Sequence, residues 1–301
     1  MELMQARDTP TWAASSACDH SFSARSTRSR VFILHTYDSN GNTATSVIGS
    51  NTTTYAWDFE NRLAGVTLPG SGGTVSFKYD PFGRRIYKSS SSATSIYAYD
   101  GDNLIEETNA TGGVVARYEQ TQNVDEPLAM LRSAATSYYH ADGLGSITSL
   151  SNGAGTLAQT YTFDSFGKAT ATSGSLTNPF QFTGREFDSE TGLYFLRNRY
   201  YDSQSGRFLN EDPLGFEGDD VNFYAYVQNS PVGLVDPFGL QHQPGGPWHP
   251  EPGVKFACKW GTPALLCPRR SVFSRALSQA MWRGTSLTIS LVDTQMTSLR
   301  S

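Results

Sequence analysis

Aromatic and polar residues alternate in short stretches along the chain, and this pattern predicts β-strands. In Tyr55-Ala56-Trp57 and Phe77-Lys78-Tyr79, two rings are separated by a single residue. Because successive side chains of a strand point to opposite faces, both rings of each segment fall on the same face. Between residues 35 and 170 no stretch sustains an apolar residue every three to four positions, and Gly, Ser and Thr interrupt every window. Strands are therefore favoured over helices.

The aromatic segments recur with a period near 21 residues. Between residues 35 and 170, an aromatic residue directly precedes Asp in five places, and these aspartates are separated by 20, 22, 20 and 64 residues. The last gap is close to three periods; it contains Asp142 and, at Arg117-Tyr118-Glu119-Gln120, what reads as a degenerate copy. Each repeat is predicted to be one β-hairpin with its connection, over about residues 35 to 170. The five aspartates are Asp38, Asp58, Asp80, Asp100 and Asp164.

These five aspartates, together with Asp142, predict tight turns. Asp at the first position of a type I turn and Gly at the fourth is a favoured combination, and Asn shares the tolerance of Gly for positive φ. Most of the aspartates have Gly three residues later, and two have Asn there. The pairs are Asp38 and Gly41, Asp80 and Gly83, Asp142 and Gly145, Asp164 and Gly167, Asp58 and Asn61, and Asp100 and Asn103.

Composition agrees with an all-β protein rich in turns, because the 301 residues include 28 Gly and 32 Tyr and Phe but only 17% charged residues. No apolar run approaches the roughly 18 residues of a membrane span. The run Val31–Leu34 is too short for the core of a signal peptide. The three cysteines, Cys18, Cys258 and Cys267, are odd in number and widely spaced, which argues against a disulfide framework and a zinc site.

A series of motifs then resembles one family, the rearrangement-hotspot (Rhs) or YD-repeat proteins. The ordered match from Tyr138 to Leu240 resembles the Rhs repeat-associated core, and the repeats extend it back to about residue 35. The motifs are Tyr79–Arg85, Tyr139–Ser146, Phe182–Asp188, Glu190–Phe195, Arg199–Asp202, Gly206–Phe208, Glu211–Phe216, Asn222–Tyr226 and Val235–Leu240.

The resemblance implies a fold and a function. Rhs proteins, teneurins and the C components of insecticidal toxin complexes form a hollow spiral β-shell that the core segment plugs at one end. In bacterial members, the chain beyond the core is a variable toxin, held inside the shell and often cut free directly after Asp-Pro-x-Gly-Leu. Here that bond is Leu240–Gln241.

The expected organisation has four parts: a non-conforming, disordered N-terminus at 1–30, a YD-repeat shell fragment at 31–170, the core at 171–240 and a variable extension at 241–301. The extension carries a net charge of +5 against −10 for the rest, and residues 271–283 have the apolar spacing of a helix. Family members carry more repeats, so the chain looks truncated, and we expect that about seven repeats could not close around a cargo.

The resemblance assigns self-cleavage to Asp212 and Asp236, acting like the pair of an aspartic protease, with Arg199 as a third functional position. Two neighbouring carboxylates share a proton, so one can activate water while the other protonates the leaving group. A purely structural interpretation stays open. Asp-Pro-x-Gly is also a favourable type I turn, and Arg199 could pair with Asp202 or Asp188 instead.

Three functions remain open at this point. The first is the shell and core of a secreted polymorphic toxin, with its own extension as cargo and with a secretion system and an immunity protein as partners. The second is a structural or cell-surface protein whose aromatic rings bind glycans, and the third is a non-functional gene remnant. The resemblance implies a secreted or cell-surface location. We expect no cofactor, no metal and no nucleic-acid partner for the shell, and we expect His140 to be an ordinary strand residue.

Overall fold

A computed structural model describes residues 32–218 and 220–245, and its main element is one antiparallel sheet of 14 strands. Each strand pairs only with its neighbours in sequence, so the sheet is a run of seven successive hairpins whose two outermost strands are β1 and β14. The strands are β1 (Ile33–Tyr37), β2 (Thr43–Ile48), β3 (Asn51–Trp57), β4 (Leu63–Thr67), β5 (Thr74–Tyr79), β6 (Arg85–Ser89), β7 (Thr94–Asp100), β8 (Asn103–Asn109), β9 (Val114–Gln120), β10 (Pro127–Arg132), β11 (Ala135–Ala141), β12 (Ile147–Asn152), β13 (Leu157–Phe163) and β14 (Ala169–Gly174).

Five of the six predicted Asp turns form as the sequence indicates. In the turn after β5, the Gly83 N–H donates to the Asp80 carbonyl at 3.0 Å, and Gly83 has a φ of 83°. The Asp80 carboxylate accepts the N–H groups of Phe82 and Arg84, which satisfies the backbone of the turn. The turns that begin at Asp38, Asp58, Asp142 and Asp164 repeat this arrangement.

The sixth turn, at Asp100, forms at the predicted four residues but is not the predicted type I turn. Asp100 pairs directly with Asn103, so the loop holds only Gly101 and Asp102. Gly101 has a φ of 59°, and a glycine at the first central position of a two-residue loop permits a tight hairpin turn by itself. Asn103 therefore needs no positive φ, and its side chain donates to the carbonyl of Asn123 at 3.0 Å instead.

The aromatic residues of the repeats share one face of the sheet. Phe77, Tyr97, Tyr118 and Tyr161 are buried, and most of their partners two residues later are half-buried on the same face. These four rings are therefore not available to stack on a sugar. His140, by contrast, is an exposed residue of β11 whose Nε2 lies 2.9 Å from the Ser151 hydroxyl.

The core segment packs against this aromatic face. Phe180 lies edge-on to Tyr118, with ring centroids 5.1 Å apart, and Tyr200 contacts Phe77 at 5.3 Å. The segment contains a four-stranded sheet, three short 3-10 helices and the first strand of a two-stranded sheet whose second strand lies just beyond Leu240. The strands are β15 (Glu186–Asp188), β16 (Leu193–Leu196), β17 (Arg199–Asp202), β18 (Arg207–Phe208), β19 (Leu234–Val235) and β20 (Gln243–Pro244), and the helices are Phe182–Gly184, Gly215–Gly218 and Val227–Asn229.

A buried cluster of charges joins the core segment to the repeats. Arg85, at the start of β6, is fully buried and donates to Glu186 at 2.8 Å and to Asp188 at 2.5 Å. Lys88 adds contacts to Asp188 and Glu190. Removing one partner from such a buried pair typically costs about 3–5 kcal/mol, because it leaves an uncompensated charge in the interior. Arg85 therefore links the two segments strongly.

Some predictions fall outside the described residues. These are the disorder of residues 1–30, the helix at 271–283 and the setting of the cysteines. Of the extension, residues 241–245 are described, and β20 lies there, paired with β19. In the described part of the chain, the structure contains no helix both long and apolar enough to cross a membrane.

Candidate functional site

The three residues that the resemblance singled out meet in the core segment. Arg199 opens β17, Asp212 lies four residues after the end of β18, and Asp236 directly follows β19. All three side chains are at least nine-tenths buried. One guanidinium nitrogen of Arg199, Nη2, lies 2.9 Å from Asp212 Oδ2 and 3.6 Å from Asp236 Oδ2. The two carboxylates therefore face the same cation.

The rest of the Arg199 side chain is held by the core segment. Its Nε donates to the carbonyl of Gly239 at 2.5 Å, and Nη1 donates to the carbonyl of Phe223 at 2.9 Å. The guanidinium carbon lies 3.6 Å from the centre of the Phe208 ring. The alternative partners of Arg199, Asp202 and Asp188, are engaged elsewhere, Asp202 with Ser205 and Asp188 with Arg85.

Asp236 contacts the peptide bond that the resemblance marks for cleavage. Its Oδ1 accepts the N–H of Leu240 at 3.0 Å and the N–H of Gln241 at 3.3 Å. The second of these nitrogens is the one that a cut after Leu240 would release as an amine. The chain between Asp236 and Gln241 thus turns back over the carboxylate.

Burial changes the acid–base properties of this cluster. Burial raises the pKa of Asp236 to about 6, with the nearby Asp212 adding to the rise and Arg199 opposing it. Burial likewise raises the pKa of Asp212, against the effects of Arg199 and of the Leu214 N–H. Burial also lowers the pKa of Arg199, although both carboxylates oppose this. A carboxyl group with a pKa near 6 can hold or release a proton near neutral pH.

A small cleft opens onto these groups. It has room for about one water molecule. Arg199, Asp212 and Asp236 line it together with Leu240 and Gln241, the two residues of the marked peptide bond. A water molecule, two carboxyl groups and a peptide bond can therefore share one place.

Sequence reasoning missed two neighbours of Arg199. Arg197 Nη1 donates to the carbonyl of Pro237, and Asn198 Nδ2 donates to the carbonyl of Phe238 at 2.8 Å. Both residues form the loop between β16 and β17, directly before the Arg-Tyr-Tyr-Asp motif. Their position beside that motif was the available signal, but nothing local indicates that the loop faces residues 237–239.

Comparisons with known proteins agree with this fold. A family model described as teneurin YD-shell matches residues 118–232. The chain is 36% identical over 212 residues to tRNA nuclease WapA of Bacillus subtilis, covering 67% of this chain and 9% of that protein. It is 32% identical over 238 residues to double-stranded DNA deaminase toxin A of Burkholderia cenocepacia, covering 68% of this chain and 16% of that protein.

A solved structure of the Photorhabdus luminescens Tc holotoxin pore superposes with a TM-score of 0.53 at 19% identity, over 72% of this chain and 13% of that one. The chain belongs to the Rhs, or YD-repeat, family. The structural likeness confirms the all-β shell fold, and the 14-stranded sheet is a segment of such a YD shell. The chain covers only 9% of the length of the WapA nuclease and 16% of the length of the deaminase toxin, so it corresponds to a small part of these Rhs relatives.

Proposed function

We propose that this chain is the shell and core segment of a bacterial Rhs-type toxin, and that the core cuts its own chain between Leu240 and Gln241. The observation that carries the proposal is the contact of Asp236 Oδ1 with the backbone nitrogens of both residues. A buried carboxyl group is thereby within reach of the nitrogen that must gain a proton when the bond breaks.

The proposed reaction is hydrolysis of one peptide bond. Asp212 accepts a proton from water, and the water oxygen bonds to the carbonyl carbon of Leu240. Asp236 donates a proton to the nitrogen of Gln241 as the carbon–nitrogen bond breaks. The products are a carboxyl group on Leu240, which keeps the hydroxyl of the water, and an amine on Gln241. The proton that Asp236 gives up is matched by the one that Asp212 gains. The raised pKa of Asp236 supports its role as the acid.

Arg199 supports this division of roles in two ways. Its Nη2 contact with Asp212 is the shorter of its two carboxylate contacts, 2.9 Å against 3.6 Å, which favours the ionised form of Asp212. Its Nε contact with the Gly239 carbonyl holds the residue before Leu240. Arg199 is thus assigned to orient both the base and the peptide.

The residues after the cut are proposed to be the cargo. The curated relatives named above are a nuclease and a deaminase toxin and are several times longer than this chain. We propose that residues 241–301 belong to the variable toxin region of this family, for which a secretion system and an immunity protein would be the partners. The target of that region is left open.

The test is to incubate the purified chain and to measure intact masses over time. We expect a fragment that starts at Gln241 and a partner that ends at Leu240, and we expect Asp212→Asn to prevent both. A wild-type chain that stays intact at Leu240 through prolonged incubation would refute the proposal. Cleavage at an unchanged rate in Asp212→Asn would refute the assigned mechanism.

A further inference from the structure

Three consecutive residues of the core hold three consecutive carbonyl groups ahead of the proposed cut. Arg197 donates to the carbonyl of Pro237, Asn198 to that of Phe238 at 2.8 Å, and Arg199 to that of Gly239 at 2.5 Å. The backbone N–H of Asn198 adds a second contact to the Phe238 carbonyl at 3.3 Å. The chain leading to Leu240 is therefore bound residue by residue.

Arg197 adopts an uncommon backbone conformation to make its contact. Leu196 pairs with Arg199, so Arg197 and Asn198 are the two residues of a tight hairpin loop. Arg197 has a φ of 60°, in the left-handed region that such loops usually fill with Gly, Asn or Asp. Arginine gains nothing from the loop itself, so its use there points to the contacts of its side chain. Those contacts include the Phe238 ring, whose centre lies 5.1 Å from the guanidinium.

The repeats supply the anchor for Arg197. Asp125 lies in the loop between β9 and β10, at the degenerate copy of the repeat, and also has a positive φ, 65°. Its carboxylate contacts Arg197 Nη2 at 2.8 Å and Nη1 at 3.2 Å, and it also pairs with Arg185. The carboxylate of Asp125 therefore binds the side chain of Arg197 in the hairpin loop between β16 and β17. In the regular turns, by contrast, the aspartate carboxylate binds backbone N–H groups of its own turn.

We propose that Arg197 and Asn198 are positioning residues that fix which peptide bond the core cuts, and that Asp125 holds Arg197 in place for this purpose. The proposal rests on the proposed self-cleavage. A slip of the chain by one residue moves each peptide bond by about 3.3 Å, which would carry the nitrogen of Gln241 beyond hydrogen-bond reach of Asp236. Displacements of about 1 Å can already cost about 10²-fold in rate.

The first measurement follows self-cleavage of the full chain by intact mass. We expect Arg197→Ala to slow cleavage about 10–100-fold and to yield additional fragments that begin next to Gln241. Arg197→Lys should restore part of the rate, and Asp125→Asn should resemble Arg197→Ala. The pH dependence should stay unchanged in all three variants, because neither residue contacts Asp212 or Asp236. The control is Arg117→Ala, which removes an exposed arginine paired with Glu106 on the sheet. Slower cleavage with one unchanged cut site would mean that Arg197 is merely structural.

The second measurement works without any cleavage. In full-length Asp212→Asn protein, hydrogen exchange of the peptide that contains Leu240 and Gln241 reports how firmly the segment is held. Adding Arg197→Ala should accelerate exchange of these amides about tenfold or more, whereas adding Arg117→Ala should not. Unchanged exchange would overturn the proposal that Arg197 positions this segment, even if the wild type cuts itself. If the wild-type chain never cuts itself but exchange is faster in the Arg197→Ala variant, Arg197 still holds this segment and only the proposed cleavage is rejected.

Discussion

The tetrapeptide Asp-Pro-Phe-Gly occurs twice in this chain, once as Asp80–Gly83 in a repeat and once as Asp236–Gly239 in the core. In the repeat, Asp80 accepts the N–H groups two and four residues later and pairs with the partly exposed Arg84. In the core, Asp236 accepts the N–H groups four and five residues later and faces the buried Arg199.

The two segments teach that the same four residues form a self-contained turn in one place and, in the other, a turn whose aspartate faces a buried arginine and a second carboxylate. A Cβ atom at Gly83 would meet open space, whereas one at Gly239 would lie 2.6 Å from the Leu196 carbonyl oxygen. The repeat turn thus depends on its own residues. The core turn instead packs against the end of β16 and the start of β17, which are distant from it in sequence.

The largest expected difference between the two segments is in self-cleavage. Asp236→Asn should slow cleavage after Leu240 by about 10²–10⁴-fold, because the amide cannot donate the proton that the leaving nitrogen needs. Asp80→Asn changes the same residue of the same tetrapeptide and should leave the rate unchanged. Time courses by intact mass measure the cleavage rate of both variants. An equal loss of rate in both would mean that each aspartate acts only by stabilising its turn.

The next difference is in folding stability. Gly83→Ala should lower the free energy of unfolding by about 1–2 kcal/mol, the cost of a side chain at positive φ. Gly239→Ala should cost about 1–3 kcal/mol more, because its Cβ would collide with backbone that cannot move aside. Urea denaturation in the Asp212→Asn background measures both without interference from cleavage. Equal costs would show that the core turn is as free as the repeat turn.

A third difference is the response to pH. If protonated Asp236 is the acid, the cleavage rate should fall about tenfold for each pH unit above its pKa of about 6. The pKa of Asp236 is raised on folding, so stability linked to its proton is present at low pH and is lost as the pH rises through about 6. Asp80→Asn should show the same profile, and a wild-type rate that is flat from pH 5 to 8 would exclude this role.

The smallest expected effect concerns Arg84, the arginine that pairs with Asp80 in the repeat. Arg84→Ala removes the partner of Asp80 at a partly exposed site and should lower the free energy of unfolding by only about 0.2–1 kcal/mol, with no change in cleavage. Thermal denaturation together with the cleavage assay checks both statements. A loss of several kcal/mol would show that the repeat turn depends on its ion pair far more than its exposure suggests.

Much of the fold could be predicted because its determinants are local. The turn at Asp80 is specified within five residues, and the period near 21 residues repeats that instruction along the sheet. The different type of turn at Asp100 also has a local cause. Gly101 can take the positive φ itself, so the loop shortens and Asn103 joins β8. A glycine directly after the aspartate was the overlooked signal.

The site could be predicted only in part, because its geometry depends on residues far apart in sequence. The family resemblance named Arg199, Asp212 and Asp236, yet an identical tetrapeptide at Asp80 shows that residue type does not settle what an aspartate contacts. Asp125 was missed because it lies where the repeat pattern breaks down. Its partner Arg197 is 72 residues away, and no spacing rule connects them.

The two strands of the small sheet flank the proposed cut in sequence, because β19 precedes Leu240 and β20 follows Gln241. Val235 pairs with Gln243, the Gln241 side chain donates to the Glu217 carbonyl, and the Gly245 N–H donates to the Gly233 carbonyl. Hydrolysis of the bond after Leu240 leaves all of these contacts intact. We therefore expect severing and departure to be separate events with separate rates, so that the cut pieces co-elute on gel filtration and part only when denaturant or a conformational change breaks this short ladder.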